Sequence, residues 1–95
     1  MGRNSILKQA EAATDAFVRS LAPRRPDRIE AEVHGRDGMP VLRAVEAALS
    51  KLLPARVTHE LVWLTRGPDQ AHRLRLVAFG AARERLAEAC HEFTP

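Results

Sequence analysis

Residues 28–34, RIEAEVH, alternate strictly: Ile29, Ala31 and Val33 point one way, Arg28, Glu30, Glu32 and His34 the other. Soon after, the period changes. In PVLRAVEAALSKLL (40–53), Leu42, Val45, Leu49 and Leu52 recur at helical spacing, with Arg43, Glu46 and Ser50 between them. A strand with one wet face, followed by a helix with one wet face, must bury the two apolar faces against each other. The result is a sheet layer covered by helices.

Residues 5–21 place Ile6, Ala10, Ala13, Phe17 and Leu21 on one helical stripe, and Asn4 or Ser5 is expected to cap it. APRRPDR (22–28) stops the helix through Pro23 and Pro26, and Pro54 ends the second helix. Pro40 suits a first helical turn. VTHELVWL (57–64) and RLRLVAF (73–79) are rich in strand formers and are joined by the Gly-Pro-Asp loop TRGPDQAH. Read as a wide hairpin, they pair Trp63 with Leu74, Leu61 with Leu76 and His59 with Ala78 on one face. Leu64/Arg73, Val62/Arg75, Glu60/Val77 and Thr58/Phe79 fall on the other. Residues 81–93 read as a final helix, entered at Gly80 and presenting Leu86, Ala89, Cys90 and Phe93.

The expected fold is α+β, a two-layer α/β sandwich of the ferredoxin-like kind. Its order is α-β-α-β-β-α, with a small mixed three-stranded sheet. Residues 1–21 form the N-terminal helix, 22–28 a Pro/Arg linker and 29–95 the sandwich, all within one globular domain. A sheet of three strands exposes much of its second face, where Val62, Leu64, Val77 and Phe79 lie. That face is expected to be covered by the N-terminal helix or by another chain.

Composition narrows the function classes. The 95 residues are 45% hydrophobic and 28% charged, values typical of a folded globular protein. No apolar run is long enough to cross a bilayer, and the start has no charged-then-apolar leader. With Cys90 as the lone cysteine, this predicts a cytoplasmic protein without a membrane partner. The formal charge is +3, distributed as +3 in residues 1–28, −1 in 29–53, +2 in 54–80 and −1 in 81–95. That is a tilt toward the N-terminal arm and the paired strands, not a continuous basic stripe.

Three sets of residues are candidate sites. HGRDGMP (34–40) holds Gly35, Arg36 and Gly38 before a helix, the setting in which backbone amides hold an anion. It lacks the lysine and hydroxyl of a phosphate loop and the third glycine of a dinucleotide fingerprint, so it reads first as a strand-to-helix turn. Arg24, Arg25, Arg28, Arg66, Arg73 and Arg75 form a loose basic set for RNA or a ribosome. Of the aromatic residues, Phe79 alone stands on the open face to stack a base. Val62, Leu64, Val77 and Phe79 form the candidate protein interface. His34, His59, His72 and His91 have no metal-ligand spacing, and Cys90 is expected to be a small buried hydrophobe, so neither a metal nor a cofactor is expected. Glu30 and Glu32 are expected to form cross-strand ion pairs with Arg28, Arg73 and Arg75 and not a catalytic pair.

From residue 29 onward the layout resembles two families. Strand, helix and hairpin around VTHELVWLTRGPD are similar to the ribosome-hibernation-factor domain. GRDGMPVLRAVEAAL is similar to a helix entry in the regulatory domain of isopropylmalate synthases. Both resemblances imply a further strand between residues 79 and 81, for which this chain has no room, and no functional residue is carried over from either. The expected function is that of a small non-catalytic accessory or regulatory protein, working by association with itself or a protein partner. An RNA- or ribosome-associated module and a small-ligand-sensing domain are the alternatives.

Overall fold

The computed structural model describes residues 3–67 and 70–94. The chain runs α1 (Arg3–Leu21), β1 (Arg28–His34), α2 (Met39–Leu52), β2 (Thr58–Leu64), β3 (Arg73–Phe79) and β4 (Arg85–Glu92). The fold is α+β, with two helices and one mixed four-stranded sheet of order β2-β1-β3-β4. β2 lies parallel to β1, while β3 and β4 each run antiparallel to the preceding neighbour in the sheet.

This corrects the three-stranded ferredoxin-like expectation in two places. β2 and β3 do not pair: β1 lies between them. The expected rows survive, because Trp63, Val33 and Leu74 share one row, as do Leu61, Ala31 and Leu76, and His59, Ile29 and Ala78. The connection at 65–72 is longer than a tight hairpin needs and is long enough to cross the end of an intervening strand. Its Pro68–Asp69 step lies outside the described residues.

The second correction is β4. Residues 85–92 are a strand, in place of the helix expected over 81–93. Ala87 and Ala89 turn toward the core, while Glu88, Cys90 and Glu92 turn outward. LAEACHEF carries period two as well as helical spacing, and the open edge of β3 decides between them. A helix there would leave a row of β3 amides and carbonyls without partners.

Both helices cover the same face. α1 packs along α2 and over β3 and β4, and α2 over β1 and β2. Ile6, Ala10, Phe17 and Leu21 of α1 and Val41, Leu42, Val45 and Leu49 of α2 join Ile29, Ala31, Val33, Leu74, Leu76 and Ala78 in a single core. Thr14, fully buried within it, donates its hydroxyl to the Ala10 carbonyl at 2.8 Å. The backbone is already helical at Arg3, so Asn4 and Ser5 lie within α1 and not ahead of it. α1 therefore does not shield the second face of the sheet.

The HGRDGMP turn is shaped by packing. Gly35 has φ +130°, and a Cβ there would run into the Gln70 carbonyl oxygen and the Ala71 Cα of the β2–β3 connection. A Cβ on Gly38 would lie 2.5 Å from Trp63 Nε1 and 3.0 Å from Val33 Cγ1. Trp63 Nε1 donates to the Gly35 carbonyl at 2.7 Å, and the Gly35 amide donates to the Leu64 carbonyl at 2.9 Å. The two glycines let one loop pass beneath another.

Candidate functional site

The open face of the sheet is built from the polar half of each alternation. Across it, from β2 to β4, run Thr58, Arg28, Phe79 and Arg85, then Glu60, Glu30, Val77 and Glu88. Val62, Glu32, Arg75 and Cys90 follow, then Leu64, His34, Arg73 and Glu92. The arginines are largely neutralised by their neighbours. Arg28 bonds Glu30 at 3.0 Å and Glu60 at 2.8 Å. Arg75 meets Glu88 at 2.9 Å and Glu32 at 3.6 Å, Arg85 meets Glu88 at 2.9 Å, and Arg73 meets Glu92 at 3.2 Å.

These contacts shift the titrating groups in the directions that charge pairing dictates. The hydrogen bond from Arg75 holds the Glu88 carboxyl below its ordinary value, and the neighbouring Arg85 charge acts the same way. The hydrogen bonds that Arg28 makes to Glu30 and Glu60, and that Arg75 makes to Glu88, raise both guanidiniums further. The face is a lattice of alternating charge.

Val62, Leu64, Val77 and Phe79 all stand on this face, but β1 separates the first two from the last two. Glu30, Glu32 and His34 lie between. Val77 is only 4% exposed, whereas Leu64 is 39% exposed. The six arginines of the basic set are likewise scattered. Arg28, Arg73 and Arg75 are bound into the lattice, Arg24 donates to the Leu86 carbonyl at 2.7 Å, Arg66 follows β2, and Arg25 lies on the linker at the other end of the sheet. Cys90 is exposed on the open face, contrary to the expectation that it is buried on a helix stripe. His91 contacts Gln9 Oε1 at 3.1 Å. His72 sets its ring edge-on to His34 at 6.2 Å, with Nδ1 buried and lacking a hydrogen-bond partner.

The two sheet edges differ. β4 is blunted: it has a register shift opposite Ala78/Phe79, it carries Arg85, Glu88 and Glu92, and Arg24 occupies its Leu86 carbonyl. β2 has a regular register and one charged residue, Glu60; none of its residues is fully buried. Thr58 N donates to Asp27 O at 3.0 Å and Leu64 O accepts from Gly35 N, so the even-numbered residues of β2 turn their backbone groups toward β1. His59, Leu61 and Trp63 therefore turn theirs outward. Sequence reasoning missed this edge because it gave β2 the wrong neighbour, and the length of the 65–72 connection was the signal that could have revealed it. No family model matches this chain, and neither does any curated protein sequence.

Proposed function

We propose that this chain is a small accessory protein, non-catalytic in itself, that works by association, and that its partner is a second copy joined through β2. The observation that carries this reading is a regular, unblunted edge strand whose Leu61-Val62-Trp63-Leu64 run is left part exposed. An antiparallel two-fold pairing centred on Leu61 sets His59 opposite Trp63 of the second copy and Leu61 opposite Leu61. It uses every outward amide and carbonyl of the strand, for about six backbone hydrogen bonds. Each Glu60 then lies opposite a Val62, so no like charges face each other across the seam. Centring on Glu60 would place two carboxylates together. Leu64 meets Thr58 at the open corners. The unpaired, exposed Cys90 fits the reducing, cytoplasmic setting that cysteine usage implies.

The mass in solution tests this reading. The 10.5 kDa chain is expected to sediment at about twice its mass at micromolar concentration. His59→Pro removes an outward donor while leaving the β1 ladder untouched, and it should yield a folded monomer. A wild-type chain that stays monomeric throughout, or a His59→Pro variant that remains dimeric, overturns the proposal.

A further inference from the structure

At the end of the sheet where β1 and β2 begin, a cleft of about 750 Å³ opens on the charged face. Its volume falls within the range of small-molecule sites. Three segments bring a guanidinium to it: Arg28 from β1, Arg56 from the α2–β2 loop and Arg83 from the β3–β4 turn. Thr58 and Phe79 complete the wall. The three arginines are not equally committed. Arg28 is held by Glu30 and Glu60, whereas Arg56 reaches the Asp27 carboxylate at 3.8 Å, beyond hydrogen-bond range. Arg83 pairs with no carboxylate among the described residues.

Arg83 is also held in an unusual backbone conformation. The turn closes with Gly80 N to Glu84 O at 2.9 Å and Arg83 N to Gly80 O at 3.0 Å, and Arg83 takes φ +64°. A three-residue hairpin loop of this kind calls for glycine at that left-handed position. An arginine there is disfavoured locally, and its position on the rim of a cleft already holding two other guanidiniums gives that choice a use.

We propose that this cleft binds a small phosphomonoester, with the dianion held between Arg56 and Arg83 and the organic part lying against Phe79. Guanidinium forks match phosphate oxygens in pairs. A long polyanion fits less well. Asp27 and Glu30 flank the cleft, and Arg66 and Arg73 lie at the opposite end of the sheet.

Phenyl phosphate is the probe, with inorganic phosphate and a single-stranded RNA oligomer as comparators, followed by amide chemical shifts and a binding isotherm. Saturable shifts are expected at Gly80, Arg83 and Arg56, with phenyl phosphate binding tighter than phosphate. Arg83→Gly should weaken binding about tenfold or more while melting no lower than wild type, because glycine relieves the turn it enters. Arg56→Gln should weaken binding similarly. Undiminished binding by Arg83→Gly, shifts centred on Arg66 and Arg73, or RNA binding more tightly than phenyl phosphate would each overturn the proposal.

Discussion

Single atoms decide what the HGRDGMP turn is for. The φ of Gly38 is −91°, open to any residue, yet its missing Cβ is what lets the Trp63 indole reach the Gly35 carbonyl. Gly38→Ala should therefore cost about 1–3 kcal/mol by overpacking. Gly67→Ala, where an added Cβ meets nothing nearer than His72 Cε1 at 3.7 Å, should cost only the local penalty of its positive φ, about 1 kcal/mol. Urea midpoints of the two variants check the difference; equal midpoints would mean that the indole contact does not require glycine. The alternation of Arg28 to His34 made the pairs of Glu30 with Arg28 and of Glu32 with Arg75 legible, whereas Arg73 pairs with Glu92 and Arg75 lies closer to Glu88, both on the strand that was not foreseen. That Trp63 would close over the loop was not legible, since the contact joins positions 28 residues apart and leaves no local trace.

Elements are joined here by side chains that act as backbone. Gln9 of α1 donates from Nε2 to the Thr94 carbonyl at 2.6 Å and accepts from the Thr94 amide at Oε1 at 3.0 Å, fastening the end of β4 to the helix. Gln9→Ala should lower stability by about 1–2 kcal/mol and release the amides of Phe93 and Thr94 to exchange, while those of β1 stay protected. The charge lattice across β3 and β4 makes a separate expectation. The Glu88 carboxyl is depressed in the folded state, so its contribution is complete above its unfolded value near 4.5 and is lost as pH falls through the lower folded value. Glu88→Gln should therefore show a shallower loss of stability between about pH 5 and pH 3 in parallel melts. α1, β1, α2, β2 and β3 could each be read from periodicity alone. β4 could not: LAEACHEF satisfies two periods, and the choice depends on the exposed edge of a strand that sequence order does not place beside it.

Taken whole, the molecule is a two-layer body with both helices on one side, a neutralised charged face on the other and unequal edges. The proposed association through β2 would link stability to concentration. Wild-type Tm should rise with protein concentration and change little between 0.05 and 0.5 M salt (on the order of a degree), because the seam is made of amides, carbonyls and apolar side chains. The Tm of His59→Pro should not depend on concentration. A wild-type midpoint that is flat with concentration, or one that falls steeply with salt, would argue for a different seam.

The place of β1 has a consequence for how the chain is made. Its two neighbours, β2 and β3, are both synthesised after it, the second of them beginning only at Arg73. During translation the middle of the sheet thus waits with both flanks bare until β2 is made from residue 58, and with one flank bare until β3 follows from residue 73. A message truncated near Leu52 would leave two helices and one unaccompanied strand, material for a chaperone or a protease and not a smaller version of the fold.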